Sequence, residues 1–496
     1  FNSGGGVLTL ANTGNDFTGA VNLAGGATQV TDTNALTLGT LATGALTATS
    51  TGALNLGGGT VGGNLAATSN NGAISQTGAL AVTGSSTINA GSAAITLVDA
   101  GNDFTGAVSL SNSGANDVAV SDANALVLGA STIGSGALTL TATTGISQTG
   151  AIVQAAGGGA VTLDAGAGDL ALTNAGNDFT GPVTASGQAV RITDATALDM
   201  VGFTSASNKD VSLVAGGQLT LAPTITAIDT GSGNLTLSSG TSLMTQGSLS
   251  GNNVSLTGAS GLTLNNDITA TGTLTLASST GGISQIGGNI LAGSTSSIAG
   301  GTGAVSLTSV GNDFTGTVTA SGGSITLTDA NALTAALTTS GNAILTAVGN
   351  LAVSGSSHDL TTNAAATSFG TTTVGGNLST TAAGAISQTG ALSVTGTSSL
   401  AAGANAITLA NAGNDFTGAV GLSNSGANNV SIRDANGLIL GNANVGTGTL
   451  GVQAVGITQA AGATIVQSAA AGAANFNSGG GVLTLANTGN DFTGAV

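Results

Sequence analysis

The sequence predicts an all-β protein, a parallel β-helix (β-solenoid) with coils of roughly 20 residues that stack into a rod. Three observations predict this fold. The composition lacks the usual helix-forming charged residues, long sequence motifs recur along the chain, and strand-sized apolar segments follow one another about every eight to ten residues.

The composition excludes several protein classes. The 496 residues include 85 Gly, no Cys, no Glu and three cations, Arg191, Lys209 and Arg433. Helical proteins use Glu, Lys and Arg on exposed faces, whereas Thr, Ser, Asn, Asp and Gly favour turns and sheet surfaces. A hydrophobic fraction of 41% supports a folded core rather than disorder.

Charge and hydropathy limit the partners. The net charge is −17, and nucleic acid or anionic lipid would require clustered Lys and Arg, so we expect neither as a partner. No apolar run approaches the roughly 18 residues that cross a bilayer, so no membrane insertion is expected. Without Cys, disulfides and thiolate metal sites are excluded, and no cofactor is implied.

The chain ends by repeating its own beginning. Residues 1–21, FNSGGGVLTLANTGNDFTGAV, recur letter for letter as residues 476–496. We therefore interpret residues 1–475 as one tandem repeat unit and residues 476–496 as the start of the next identical unit. Arrays of this kind are usually structural or binding objects.

Within the unit, the motif GNDFTG marks five modules. They cover about residues 14–100, 101–175, 176–310, 311–412 and 413–488. In each module an Asp marker follows in segments such as TDANAL, with apolar and polar residues alternating before it. A third marker, ISQTG or a variant, precedes the next GNDFTG. The length between the Asp marker and ISQTG varies, as expected when whole coils are inserted or deleted in one continuous solenoid.

The apolar segments between the markers have the length and alternation of β-strands. Each carries two apolar residues around a Thr or Ser, which predicts strands with one buried face. The turn sequence that recurs between strands is longer than a two-residue hairpin turn, so we expect parallel stacking of successive coils rather than antiparallel hairpins. The predicted strands include residues 7–10, 94–97, 160–163, 210–213, 234–237, 273–276 and 304–307.

The GNDFTG, TDANAL and ISQTG segments, in a Cys-free chain rich in Gly, Ala, Thr and Asn, resemble filamentous-haemagglutinin-like exoproteins. These are large bacterial surface adhesins that are commonly exported by two-partner secretion. The resemblance covers essentially the whole chain. It implies a right-handed parallel β-helix, an extracellular location at the bacterial cell surface, and a role in adhesion or biofilm.

The GNDFTG motif has two interpretations. Its acidic residues and the Asp markers are candidate Ca²⁺ ligands, since Ca²⁺ binds several oxygen ligands; the candidates are Asp16, Asp32, Asp103 and Asp122. The other interpretation is structural. In it, Gly14 and Gly19 form left-handed corners, Asn15 and Asp16 cap the backbone, and the aromatic residues fill the core. These aromatic residues are Phe17, Phe104, Phe179, Phe314 and Phe416.

The function expected from these patterns is structural rather than enzymatic. We expect the shaft of a giant repetitive extracellular adhesin or fibre, with other copies of the repeat as partners and cell-surface or matrix glycans or proteins as candidates. The alternative is a filament of separate chains associating end to end or laterally. A polysaccharide-degrading β-helix enzyme would need a singular acidic pair, and the only His, His358, lies in a loop-like segment. An ice-binding solenoid would need more regular Thr rows.

Overall fold

The computed structural model describes residues 1–496, and it confirms the predicted all-β fold. The chain forms 60 β-strands and no helix, stacked in parallel in about 24 turns of roughly 20 residues. No helix of the length and apolarity needed to cross a membrane is present. The strands fall into two compact units, Phe1–Asn252 and Asn253–Val496.

The first unit contains strands β1 to β31 in chain order. They are Leu8–Leu10, Val21–Gly25, Thr28–Asp32, Leu36–Thr43, Leu46–Ser50, Leu54–Asn55, Gly58–Val61, Leu65–Ser69, Ile74–Ser75, Leu80–Val82, Ser86–Asn89, Ile95–Leu97, Asp103–Phe104, Val108–Ser111, Val118–Asp122, Leu126–Leu128, Ser131–Ile133, Leu138–Ala142, Ile146–Gln148, Ile152–Gln154, Val161–Asp164, Leu170–Leu172, Val183–Gly187, Val190–Asp194, Leu198–Ser205, Val211–Ala215, Leu219–Leu221, Ala227–Asp229, Leu235–Ser239, Ser242–Met244 and Ser248–Gly251.

Strand pairing in this unit gives the length of a coil. Leu8 pairs with Thr28, Thr28 with Leu46, and Leu46 with Leu65, all in parallel register. Strand β4 bends at its middle, so its first part pairs with β6 and its second part with β7. Each coil therefore contributes to three parallel sheets, and every strand hydrogen-bonds to its equivalents in neighbouring coils.

The second unit contains strands β32 to β60. They are Val254–Gly258, Gly261–Leu264, Ile268–Ala270, Leu274–Ala277, Ile283–Gln285, Ile290–Ala292, Ser296–Ala299, Ala304–Leu307, Asp313–Phe314, Thr317–Gly322, Ser324–Asp329, Leu333–Thr339, Ala343–Ala347, Asn350–Ser357, Leu360–Ala364, Ala366–Val374, Leu378–Ala382, Ile386–Gln388, Leu392–Val394, Ser398–Ala401, Ile407–Leu409, Asp415–Phe416, Val420–Ser423, Val430–Arg433, Leu438–Val445, Leu450–Gln453, Ile457–Gln459, Ile465–Gln467 and Ala474–Asn477.

The second unit follows the same parallel scheme. Ile325 pairs with Ala343, Ala343 with Leu360, and Leu360 with Leu378. These offsets of 17 or 18 residues are shorter than those around the GNDFTG motifs, where Ile407 pairs with Val430. Coil length therefore varies through the corners, and most strand pairs keep one register; the pairing shifts between Val353 and Gly355 and between Val420 and Leu422.

The core consists of ladders of small and medium apolar side chains. One ladder in the first unit runs through five successive coils, and all of its members are buried: Val30, Ala48, Ala67, Ile88 and Leu110. Residues on either side of each member point away from it because side chains alternate along a strand. The predicted alternation is thus explained by stacking at the strand spacing of about 4.8 Å.

Candidate functional site

The three markers found in the sequence meet in space. Where the fourth module passes into the fifth, three residues of successive coils form one connected hydrogen-bond network, which we call the Gln–Asn–Asp cluster: Gln388 of ISQTG, Asn414 of GNDFTG and Asp434 of RDANGL. Asn414 is the centre of the network, and its side chain is completely buried. The sequence motifs therefore mark one three-coil structure.

The amide group of Asn414 connects its coil to the coils on both sides. Its Oδ1 accepts hydrogen bonds from Gln388 Nε2 at 2.7 Å and from the Leu392 backbone N–H at 3.0 Å. Its Nδ2 donates to Gln388 Oε1 at 2.9 Å and to the backbone oxygen of Arg433 at 3.2 Å. A fifth bond, from Nδ2 to Leu409 O, closes its own turn. A buried amide with every polar atom bonded stabilises one specific packing of the coils.

Asp434 completes the cluster from the following coil. Its Oδ2 accepts the backbone N–H of Phe416 at 2.7 Å, and its Oδ1 accepts that of Asn436 at 2.6 Å. The backbone N–H of Ala435 donates to Asn414 O at 2.7 Å. The carboxylate therefore satisfies two backbone donors at the corner, one in its own coil and one in the coil before it.

The same cluster recurs in the interior modules. The Gln Nε2 to Asn Oδ1 distance is 2.7 or 2.8 Å in every copy. In every copy the Asp marker also accepts the backbone N–H of the Phe in the motif. The four complete clusters are Gln76–Asn102–Asp122, Gln148–Asn177–Asp194, Gln285–Asn312–Asp329 and Gln388–Asn414–Asp434.

The motif aromatic residues lie beside these clusters. Phe104, Phe179, Phe314 and Phe416 are at most 1% exposed. Phe17 is only half-buried, and its ring packs against Phe1 at a centroid distance of 5.9 Å. Because only the following coil covers residues 1–21 here, the core around Phe17 is covered on one side.

The motif glycines do not have the left-handed conformation expected for corners. Neither Gly14, Gly19 nor any other glycine of a GNDFTG motif has a positive φ. The second glycine is needed for close approach instead. A Cβ at Gly418 would overlap the carbonyl oxygen of Gly396 in the preceding coil, whereas a Cβ at Gly413 would lie 3.3 Å from Ala391 Cβ.

The candidate Ca²⁺ ligands make hydrogen bonds within the protein. The two oxygens of Asp32 accept the backbone N–H groups of Phe17 and Asn34, and Asp16 Oδ1 accepts Asn34 Nδ2 at 2.9 Å. Asp122 accepts the corresponding backbone donors of Phe104 and Asn124. No group of three or more His, Cys, Asp or Glu side chains is placed to hold a metal ion. Ca²⁺ binding stays a prediction for these residues, including Asp103.

Burial determines the electrostatics of the clusters. Desolvation raises the pKa of Asp122, Asp194, Asp329 and Asp434 above the ordinary value of 3.8, although two backbone N–H donors to each carboxylate lower it. The neighbouring Asp of the GNDFTG motif raises the pKa further. A raised carboxyl pKa can indicate a catalytic acid. In this chain, however, the four carboxyl groups with a raised pKa occupy the same position in four equivalent corners.

The surface offers few charged contacts. Arg191 forms an ion pair with Asp210 at 3.1 Å and lies 3.8 Å from Asp169. Hydrogen bonds from the Asn234 backbone and from Arg191 lower the pKa of Asp210. His358 is exposed and lies 3.4 Å from Asp359. None of these charged contacts involves a residue of a Gln–Asn–Asp cluster.

Surface grooves run between strands and are lined by small side chains. One groove of about 260 Å³ in the second unit is bordered by Thr, Ser, Ala, Val and Gly residues, among them Thr317, Ser354 and Thr389, and holds no titratable side chain. Such a groove offers hydroxyl hydrogen bonds and methyl contacts to a ligand, but no acid–base pair.

Sequence reasoning recognised the three markers and missed how they act together. It gave no role to the glutamine of ISQTG. The signal was present, because the motif Asn follows this glutamine by 26 to 29 residues in all four clusters, which is more than one coil. A spacing that is held across an unrelated intervening sequence indicates a contact between coils.

Comparison with protein families identifies the repeated segments. A family model described as repeats of unknown function (DUF5649) matches residues 1–24, 43–111, 115–186, 251–321, 356–423 and 427–496. These ranges cover well over half of the chain, and each contains one GNDFTG motif. No match was found among curated proteins or among solved structures.

Proposed function

We propose a structural role for this chain, which belongs to the family of repeats of unknown function (DUF5649). The chain is a length of the shaft of a giant repetitive extracellular adhesin or fibre. In this role its coils provide stiffness, and the number of repeats sets the reach of whatever lies beyond them. The repetitive β-solenoid fold is consistent with a structural repeat protein.

The observation that carries this proposal is the recurrence of the Gln–Asn–Asp cluster. The cluster residues join one coil to the next in four equivalent places. The asparagine at the centre of each cluster is completely buried; these are Asn102, Asn177, Asn312 and Asn414. A binding or catalytic centre is normally singular and open to a ligand. Residues used repeatedly to join neighbouring coils stabilise the contact between those coils, as a stiff fibre requires.

Composition supports a location outside the cell. Of the 20 acidic residues five are buried, and the other 15, against three cations, give the chain a negative surface that keeps a long, repetitive chain soluble. So few Lys and Arg residues also leave few sites for trypsin-like proteases. The resemblance to filamentous-haemagglutinin-like exoproteins points the same way, towards the bacterial cell surface and adhesion or biofilm. The partners proposed are other copies of the repeat and surface or matrix glycans or proteins.

The same features support a role without catalysis. The carboxylates with raised pKa values accept backbone N–H groups of corners, and each is at most 3% exposed. A glycosidase would instead require two carboxylates facing one substrate groove at a defined separation. We therefore propose that the chain is not an enzyme.

The proposal is tested on the natural polypeptide. An antibody raised against residues 1–475 should label intact, unpermeabilised cells. In a denaturing gel it should detect one polypeptide several times larger than the 45.8 kDa of this chain. A cytosolic signal, or a band near that mass, would contradict the shaft of a giant exported protein.

A further inference from the structure

The corner after each Asp marker has the same arrangement in all five modules. The residue two positions after the marker donates its backbone N–H to Oδ1 of the marker at 2.6 to 2.9 Å. In the fifth module this residue is Asn436, and its side-chain Nδ2 donates to Asp415 Oδ1 in the preceding coil at 3.4 Å. Its backbone oxygen accepts the N–H of Val455 in the following coil at 2.6 Å. Asn436 therefore connects three successive coils.

The residue that follows Asn436 differs from its equivalents. It is Gly437, whereas the other four modules have alanine at this position: Ala35, Ala125, Ala197 and Ala332. Gly437 does not have a positive φ, and an added Cβ would lie 3.8 Å from Val455 O, which is an ordinary contact. Neither the backbone conformation nor the packing therefore requires glycine at this corner.

An Asn–Gly pair can undergo deamidation without an enzyme. The backbone nitrogen of the glycine attacks Cγ of the asparagine, and the new N–Cγ bond closes a succinimide ring. The Cγ–Nδ2 bond breaks, and the amide proton of the glycine passes to the leaving nitrogen, which departs as ammonia. Water then opens the ring at either carbonyl and gives aspartate or isoaspartate, so water is the only co-reactant. Glycine favours this attack because no Cβ hinders its nitrogen.

The two residues of the pair Asn436–Gly437 have few contacts that would prevent this reaction in the folded protein. Both are exposed, and they lie between the strands β55 and β56. The Gly437 N–H donates no hydrogen bond, and the Asn436 side chain makes only the long bond to Asp415. A local rotation can therefore bring the Gly437 nitrogen to Asn436 Cγ at the loss of few contacts.

The chain has one other Asn–Gly pair, Asn71–Gly72, and the structure holds that pair more tightly. Asn71 has a φ of 61°, and its Oδ1 accepts the backbone N–H of Ser92 in the following coil at 2.9 Å. A Cβ at Gly72 would overlap the backbone of Gly52 in the preceding coil, so close approach requires this glycine. Because both residues are held against neighbouring coils, the rotation that the reaction needs should be hindered here.

We propose that Asn436 is a modification site, which deamidates spontaneously in the folded protein and thereby weakens the contact between coils at this corner. Aspartate at position 436 places a carboxylate beside Asp415 where the amide donated a hydrogen bond, so attraction is replaced by like-charge repulsion. Isoaspartate also lengthens the main chain by a carbon atom, although the backbone groups of residue 436 are bound to Asp434 and Val455. The modification concerns the folded chain alone and does not depend on the proposed function.

Peptide mapping by mass spectrometry tests the site, after incubation of the folded full chain at neutral pH. Deamidation should accumulate several-fold faster at Asn436 than at Asn71, and an isoaspartyl methyltransferase should label the peptide that contains residue 436. In urea the two pairs should react at similar rates, because the folded structure no longer protects Asn71. The variant Gly437→Ala should keep the melting temperature of the unmodified chain and lose most of the deamidation at Asn436. Equal rates at the two pairs in the folded chain would overturn the proposal, as would an unchanged rate in Gly437→Ala.

The variant Asn436→Asp tests the weakening, because it reproduces the aspartate product. Its melting temperature at neutral pH should be about 1 to 2 °C below that of the unmodified chain. Adding Asp415→Asn should recover most of this loss, since the repulsion needs both carboxylates. The matched control is Asn71→Asp, which keeps an acceptor for the Ser92 N–H and should lower the melting temperature less. An Asn436→Asp variant that melts no lower than the unmodified chain, or no lower than Asn71→Asp, would overturn the weakening.

Discussion

At the scale of single residues, this protein depends on buried polar side chains as well as on apolar ladders. Each cluster Asn is completely buried, its amide group bonds to the preceding coil, and its backbone oxygen accepts an N–H from the following coil. Each Asp marker accepts two backbone N–H groups. A buried polar group costs free energy unless its hydrogen bonds are made, so these residues specify how successive coils are positioned.

Replacing a cluster asparagine should destabilise the protein strongly. In Asn414→Ala, the Gln388 amide and the backbone of Leu392 and Arg433 lose their buried partner, and we expect a loss of about 3 kcal/mol in the free energy of unfolding. The matched control is Asn428→Ala, which removes one exposed hydrogen bond to Ala404 O and should cost less than about 1 kcal/mol. Denaturant unfolding measures both, and equal losses would contradict the role of the cluster.

The Asp markers should make the protein tolerant of acid. Their pKa values are raised in the folded state, so the folded protein binds more protons than the unfolded chain just above pH 3.8. The contribution of the Asp markers to the free energy of unfolding therefore increases as pH falls from 7 towards 4. Asp210 and Asp229 have lowered pKa values, and their contribution is lost only below pH 3.8.

We therefore expect the melting temperature at pH 4 to equal or exceed that at pH 7. Thermal melts followed by circular dichroism measure the melting temperature at each pH. The variant Asp329→Asn should show a smaller rise in melting temperature between pH 7 and pH 4, because one carboxyl group with a raised pKa no longer titrates. A steady fall in melting temperature between pH 7 and pH 4 would contradict the assigned directions.

At the scale of the elements, corners vary while the strands stay aligned. After the Asp marker, three modules contain an eight-residue strand that continues through a corner: Leu36–Thr43, Leu198–Ser205 and Leu438–Val445. Each pairs with the strand that follows GNDFTG, and each pairing shifts register at the same place in the module. Such a bulge absorbs a difference in coil length locally, so the rest of the ladder remains in register.

The two glycines of a motif should respond differently to the same change. Gly418→Ala would overlap the Gly396 carbonyl in the neighbouring coil, and we expect a loss of about 2 to 3 kcal/mol from overpacking. Gly413→Ala has an ordinary φ, and its new Cβ would lie 3.3 Å from the Ala391 Cβ, a close contact that a shift of a few tenths of an ångström relieves. Its effect should range from neutral to a gain of about 0.5 kcal/mol, because the unfolded chain loses entropy. Melting temperatures of the two variants decide this, and equal effects would contradict the close-approach role.

At the scale of the whole molecule, coils are the units of insertion. Each of the first five ranges matched by the family model ends ten residues after the start of a GNDFTG motif. The longer segments between matched ranges are residues 25–42, 187–250 and 322–355. Residues 25–42 and 322–355 correspond to about one and two coils at the observed spacing. The variable module length seen in the sequence thus reflects coils added between conserved clusters.

Removing one complete coil should be tolerated. Deletion of residues 333–350 joins Ala332 to Leu351, which takes the register position of Leu333. The melt should stay cooperative, with a melting temperature lowered by less than about 5 °C. The control deletes residues 333–341, which is half of a coil. After this deletion the strands and corners that follow no longer lie over the equivalent strands and corners of the preceding coil. It should unfold at a much lower temperature, and similar behaviour of both deletions would contradict coil-wise modularity.

The amino-acid sequence was sufficient to predict the fold class, the strands and the coil length, because these depend on local alternation and on repeats that can be counted along the chain. It also marked the cluster residues as constant positions. It did not determine what Gln388, Asn414 and Asp434 do, or why Gly418 must lack a side chain. Those roles depend on atoms that lie 20 or more residues apart in the chain and about 4.8 Å apart between coils. Only the stacking of coils brings these atoms together, so the folded structure was needed to assign these roles.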